Sequence, residues 1–173
     1  MTLWPYDLAG DVDRAVAVEA AALGRSEEQR RDSYLAHAGY PGYHSWAALD
    51  GDELVGLAYG HRSLPGQWWH DTVTPAMEAA GHGDWLDDVF CLVELHVLPS
   101  HQGRGLGVGL LRALLTETDL PRVLLSTADA ATRARALYHH LGFVDLVTGF
   151  WFPTAGQPFA VMGARLPLRE PSR

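Results

Sequence analysis

The sequence predicts an α/β protein, a mixed sheet covered by helices. Three observations carry this. Strand-like apolar segments alternate with amphipathic helical segments over the second half of the chain, the order of a layered α/β arrangement. The strongest strand, residues 89–98 (VFCLVELHVL), runs into a glycine-rich turn and then a helix. The chain has 173 residues, 47% of them hydrophobic and 20% charged, enough for one packed domain over 1–173 without disulfides or a metal.

The elements follow in order. Residues 11–23 (DVDRAVAVEAAAL) are alanine-rich with acidic residues at the start, which predicts a helix capped near Gly10 or Asp11. Ser26-Glu27-Glu28-Gln29 has the capping-box pattern and predicts a second helix to about His37, broken by Gly39-Tyr40-Pro41-Gly42. Apolar segments 44–49 and 54–61 flank Asp50-Gly51-Asp52-Glu53 and read as a β-hairpin. Residues 64–88, with Trp68, Trp69, His70, Trp85 and Asp87-Asp88, form an excursion between strands with a short helix near 72–80. Pro99-Ser100-His101 ends the strong strand, and Leu106, Leu110, Leu111, Leu114 and Leu115 share one face of the following helix. Residues 122–127 (RVLLST) are a short buried strand. Ala134, Leu137, Tyr138 and Leu141 line one face of the next helix, with Gly142 as its C′ residue. Segments 143–152 and 158–166 are two last strands around a Pro/Gly turn.

Composition narrows the function. Thirteen basic against twenty-one acidic residues give a net charge of −8, which argues against nucleic acid as a partner and weakly favours a cationic substrate. Every basic residue is Arg; the absence of Lys, Asn and Ile points to a G/C-rich, bacterial genome. The single cysteine, Cys91, excludes an intramolecular disulfide. No apolar run approaches the roughly 20 residues of a membrane span. The opening MTLWPYDLAGDVDRAV is not a signal peptide, so the expected location is the cytoplasm.

The glycine-rich turn carries the chemistry. A helix N-terminus exposes unpaired N–H groups and a partial positive charge, and a turn without bulky Cβ atoms lets those amides converge on a phosphate. A P-loop requires Lys, which the chain lacks. The G-x-G-x-x-G spacing fails from Gly103, where Val108 stands last, and from Gly105, where Leu110 does. What remains is Q-x-x-G-x-G at Gln102, Gly105 and Gly107. Residues 93–111 (VELHVLPSHQGRGLGVGLL) and 134–143 (ARALYHHLGF) resemble the cofactor loop and the A-x-x-L-Y-x-x-x-G-F helix of the GNAT superfamily of acyl-CoA-dependent N-acyltransferases. The resemblance implies a mixed, mostly antiparallel sheet, flanked by helices and splayed between its fourth and fifth strands, with a V-shaped cleft there. Acetyl-CoA would be the cosubstrate. Its pantetheine arm would pair with the backbone of Leu95, His96 and Val97, and its pyrophosphate would sit on the amides of Gln102, Gly103, Arg104, Gly105, Leu106 and Gly107. One departure is Ala131, where many members carry Asn.

Acetyl transfer to an amine needs a proton acceptor, a stabilised thioester oxygen and a protonated leaving thiolate. Strand alternation puts Leu92, Glu94, His96 and Leu98 on one face. Glu94, a carboxylate in an apolar run, is the expected base or water-relay acceptor, its pKa raised by partial burial; the competing reading is a Glu paired with an Arg across the sheet. His96 is a second base candidate. The resemblance assigns Tyr138 to protonation of the thiolate. Cys91 lies on the opposite face and reads as buried core. The histidines show no metal spacing, so no metal is expected. Trp69, Trp85 and Asp88 of the excursion would suit a bulky cationic amine, or else simply pack it onto the sheet. The expected acceptor is a small cationic amine, or alternatively a protein N-terminal or lysine amine. A non-catalytic acyl-CoA sensor is the competitor from another class. Fold analogy alone suggests a homodimer through the last two strands.

Overall fold

The structure is a computed structural model that describes residues 1–24 and 30–169. The elements run β1 (Thr2–Pro5), α1 (Val12–Leu23), α2 (Arg31–Ala38), β2 (His44–Asp50), β3 (Glu53–Arg62), α3 (Trp68–Ala79), β4 (Val89–Val97), α4 (Leu106–Leu115), β5 (Arg122–Ala128), α5 (Arg133–His140), β6 (Val144–Phe150) and β7 (Phe159–Arg165). The strand order is β1-β2-β3-β4-β5-β7-β6. The β1/β2, β2/β3, β5/β7 and β6/β7 pairs are antiparallel and β4/β5 is parallel. The β4/β5 ladder has three partner pairs and stops at Cys91–Leu124. This is the mixed sheet flanked by helices that the sequence implies. The chain forms two compact units: residues 1–61 with 92–119, and residues 62–91 with the chain from Leu120 onward.

In the first unit, α1 buries Val12, Ala15, Val16 and Glu19, an i, i+3, i+4, i+7 stripe. That stripe joins Leu8, Tyr34 of α2, Ala47 of β2, and Leu57 and Tyr59 of β3 in one apolar core. Gly24 ends α1 in the left-handed conformation, at φ +65°. The hairpin turns at Gly51, φ +60°, as Asp-Gly predicts. Gly56 of β3 has no room for a side chain: a Cβ there would stand 3.0 Å from the His96 carbonyl oxygen and 3.2 Å from Leu110 of α4. Strand β1 is an addition to the sequence reading, which began with two helices. Four residues, TLWP, are too short to show alternation, and pairing with β2 is what makes them a strand. The capping box at 26–29 lies outside the described residues.

In the second unit the excursion is core. Helix α3 starts at Trp68, four residues before the expected position, and buries His70, Val73 and Met77. Val73 and Met77 meet Leu86, Val89, Leu124 of β5, Leu146 of β6 and Val161 of β7, with Trp69, Trp85, Phe150 and Phe152 packed around them. Pro75 is tolerated inside the helix while the Thr72 and Thr74 hydroxyls donate back to the carbonyls of Trp68 and His70 at 2.6 and 2.7 Å. Thr132 caps α5, its hydroxyl accepting from the Arg135 amide at 3.1 Å. The Arg135 guanidinium then ties α5 to Asp129 and, at 3.0 Å, to Asp145 of β6. Asp129 also accepts the Gly149 amide at 2.7 Å.

The ring of Trp85 lies directly on Gly163 of β7: an added Cβ would meet Trp85 Cζ3 and Leu146 Cδ1 at 2.8 Å each. Gly163→Ala is therefore expected to lower stability by about 1–3 kcal/mol, the usual cost of overpacking a rigid neighbour. Urea denaturation measures it, and an unchanged midpoint would show that Trp85 is not held against the strand.

Candidate active site

Glu94 and His96 leave β4 on one face, two residues apart, as strand alternation requires. Their side chains are 14% and 10% exposed. A carboxylate so placed needs partners, because burying an uncompensated charge is costly. It has two. The Arg30 guanidinium donates through Nη2 to Glu94 Oε1, and His96 Nε2 lies 2.6 Å from Glu94 Oε2. Arg30 also engages Glu19, its Nε 3.0 Å from Glu19 Oε1. One guanidinium, at the residue leading into α2, thus bridges a carboxylate of α1 and one of β4.

The electrostatics overturn one expectation. Burial does act to raise the Glu94 pKa, as the sequence reading held. The His96 hydrogen bond and the Arg30 charge outweigh it, and the carboxyl is held below its ordinary value. Glu94 is a fixed anion. The pairing with Arg that competed with its catalytic reading is present, but Arg30 comes from the α1–α2 connection rather than from across the sheet. Around the network, Tyr34 packs edge-on against Tyr59 with ring centroids 4.9 Å apart, and the Arg30 guanidinium carbon lies 5.7 Å from the Tyr34 ring centre. Burial, then the Glu94 charge, push both phenols well above their usual range, so they stay protonated. His37 Nδ1 lies 3.0 Å from the Tyr59 hydroxyl.

Glu19, Glu94 and His96 each offer an atom within 4.8 Å of the others, an arrangement that can suit a cation. Arg30 already supplies positive charge to both carboxylates, so the cluster reads as a salt-bridge network. Sequence reasoning missed Glu19 and Arg30. Glu19 had a signal: it continues the buried stripe of Val12, Ala15 and Val16. Arg30 had none, since only the fold brings it to β4.

Beyond β4, a single 3-10 turn (Pro99–His101) leads to the loop. Gln102 donates from Nε2 to the Val97 carbonyl at 3.0 Å. Gly103 and Gly105 take φ +76° and +78°, left-handed values that disfavour any side chain. Gly105 is the N-cap of α4, and the first α4 amide bonded back into the helix is that of Gly109, to the Gly105 carbonyl at 3.0 Å. The amides of Leu106, Gly107 and Val108 precede that first bond, as in any helix opening. The Arg104 side chain is exposed and donates to the Ser100 carbonyl at 3.2 Å. Leu95, His96 and Val97 lie past the end of the β4/β5 ladder.

In the second unit, Tyr138 is buried on α5, its ring 5.4 Å from that of Phe143. The excursion residues are engaged locally. Trp69 donates its indole N–H to Ser126 Oγ at 3.1 Å. Trp85 carries Arg122 and Arg165 at 6.0 and 5.6 Å from its ring centre. Asp88 is exposed, bonds Arg62, and takes a positive φ of 43°. Trp69 and Trp85 meet β5 and its neighbours near Ser126 and Arg122, four residues or about 13 Å apart along a strand. Cys91 is buried.

A glycine-rich loop opening a helix after β4, beside a mostly antiparallel sheet, is the arrangement that the sequence resemblance implied. Residues 15–143 match the model of the acetyltransferase (GNAT) family, and the chain belongs to that family. Over 132 residues it is 40% identical to a GCN5-like protein acetyltransferase of Mycobacterium tuberculosis, covering 72% of this chain and 64% of that protein, so the chain spans less than two thirds of this relative's length. Its fold is similar to that of the ribosomal-protein-S18-alanine N-acetyltransferase of Escherichia coli, with TM-score 0.68, 20% identity, and coverage of 95% of this chain and 92% of that one. A Salmonella typhimurium protein solved with its cofactor acetyl-CoA gives TM-score 0.69 at 17% identity, covering 100% of this chain and 98% of that one. At such identities the two structures speak for the fold. Among the described residues no helix is long and apolar enough to cross a membrane.

Burial, aided by His61 and Arg30 and opposed by Glu94, lowers the His37 pKa to about 4. The unfolded chain protonates this residue near pH ~6.5, so between these values it binds more protons than the folded chain. Stability from this source is complete above pH ~6.5 and falls as the pH drops toward 4. The urea midpoint of the wild type should therefore fall between pH 7 and 4.5 more steeply than that of His37→Gln. Parallel slopes would contradict the buried, neutral imidazole. Glu94 adds a separate loss at lower pH, as its depressed carboxyl is finally protonated.

Proposed function

We propose that the chain transfers an acetyl group from acetyl-CoA to a primary amine by direct attack in a ternary complex. One observation supports this most: the left-handed pair Gly103 and Gly105 opens α4 immediately after the strand that the family uses for its cosubstrate. Backbone amides at that helix opening suit a diphosphate, and Leu95–Val97 suit the peptide-like pantetheine arm as an added strand. The ammonium gives one proton to a base of the Glu94–His96 pair, and the freed lone pair forms the C–N bond at the thioester carbon. The C–S bond breaks with its electrons on sulfur. Tyr138 protonates the thiolate and is reprotonated from water, to which the second nitrogen proton also leaves. The balance is ammonium plus thioester to amide, thiol and one proton.

Two acceptor classes fit. A small cationic amine is favoured by the acidic chain, with Trp69, Trp85 and Asp88 as its contacts. A protein N-terminal or lysine amine is favoured by a different observation: Trp69 and Trp85 are already engaged by Ser126, Arg122 and Arg165, and the 40% identical relative is named a protein acetyltransferase. A sensor on the same scaffold would bind acetyl-CoA and release no thiol.

Thiol release measured with spermidine, kanamycin and a peptide with a free N-terminus separates these readings. Acetylation of any of them supports the transferase. Binding of acetyl-CoA without thiol release from any amine would favour the sensor. Tyr138→Phe should lower kcat at least 10-fold while acetyl-CoA affinity, read by calorimetry, stays within about 2-fold, the mark of a group acting only in the transition state. An unchanged kcat would remove Tyr138 from the mechanism.

A further inference from the structure

We infer that Arg30 is a positioning residue for acetyl transfer: it fixes Glu94, Glu94 fixes the His96 ring, and His96 Nδ1 takes the proton from the substrate ammonium. The inference rests on the transferase reading above and divides the roles that the reading leaves joined.

Two observations carry it. First, both Glu94 oxygens are committed, Oε1 to Arg30 and Oε2 to His96 at 2.6 Å. An ionised carboxylate only accepts hydrogen bonds, so the imidazole must donate from Nε2, and the neutral ring then keeps its lone pair on Nδ1. Among the described residues Nδ1 has no hydrogen-bond partner, which leaves it available to an incoming N–H. The logic is that of a carboxylate orienting a histidine base. Second, Arg30 is held at both ends, Nε on Glu19 at 3.0 Å and Nη2 on Glu94, and burial keeps Glu19 at 3% exposure. This anchors the guanidinium to α1, so the Glu94 carboxylate cannot turn away from His96. Glu94 is itself a weak base, since an anion stabilised by two donors holds a proton poorly at neutral pH.

In the proposed step the ammonium N–H bond breaks, its proton moves to Nδ1, and the nitrogen pair attacks the thioester carbon. The imidazolium returns its proton to solvent after the thiol leaves.

Arg30→Gln, Arg30→Lys, Glu94→Gln and His96→Gln are compared with the wild type in the full chain. Each is assayed with whichever amine of the panel is acetylated fastest, and acetyl-CoA affinity serves as the check on folding. His96→Gln should lose at least 10²-fold in kcat together with the acidic limb of the pH–rate profile. Arg30→Gln should lose about 10–100-fold in kcat, as loss of an orienting partner typically does, with acetyl-CoA affinity unchanged. Arg30→Lys, which keeps the charge without the fork, should recover only part of it. Nitrogen-15 spectra should show His96 protonated on Nε2 in the wild type and a mixture of tautomers in Arg30→Gln, or in Arg30→Lys if the former does not fold. Wild-type kcat and an intact acidic limb in His96→Gln would overturn the base assignment. An unchanged rate and tautomer in both Arg30 variants would reduce Arg30 to a structural ion pair. If the wild type binds acetyl-CoA but acetylates no amine, the transferase reading fails, while the tautomer measurement still decides whether Arg30 orients the ring.

Discussion

A carboxylate set into an apolar strand must be paired, and Glu94 is the place where this protein meets that constraint. Its partners come from three different stretches of chain: Arg30 at the entry to α2, His96 two residues along β4 and, through Arg30, Glu19 on α1. The resulting network joins the first two helices to the strand that leads into the glycine-rich loop. Removing Arg30 would leave the Glu94 charge short of a partner, at a cost below that of a fully buried pair because the Arg30 side chain is 37% exposed. Such pairs hold a geometry more dependably than they add stability, and here the geometry is that of a histidine beside a fixed anion.

Much of the fold was legible because its signals are local. Asp50-Gly51 announced the hairpin, Gly142 the end of α5, and the leucines of α4 its buried face. The 93–111 and 134–143 motifs tied those pieces to one family and hence to one strand order. What escaped detection depends on partners. TLWP becomes a strand only by pairing with β2, and α3 starts four residues before the expected 72, with Trp69 of its first turn bonded to Ser126 of β5. Pro75 obscured that helix further, since a proline usually marks a boundary.

The site was legible in part. Alternation placed Glu94 and His96 together, and the structure keeps them in contact. Their electrostatics were not legible: whether a half-buried Glu is raised or lowered depends on who donates to it, and Arg30 is 64 residues away in sequence. The tryptophans show the same dependence on partners. Read as a cluster, Trp69 and Trp85 suggested an aromatic wall for a cation; in space they occupy separate positions along β5, one bonded to a serine and the other covered by two arginines.

The account turns on Glu94 remaining an anion. Carbon-13 titration of the side-chain carboxyls in the full chain, with the Glu94 signal assigned from Glu94→Gln, measures this directly. The predicted result is a Glu94 carboxyl still ionised at pH ~4.3, where an ordinary glutamate is half protonated, and shifting only below it. Half-protonation at or above that pH would mean that burial outweighs Arg30 and His96, and would return Glu94 itself to the role of base.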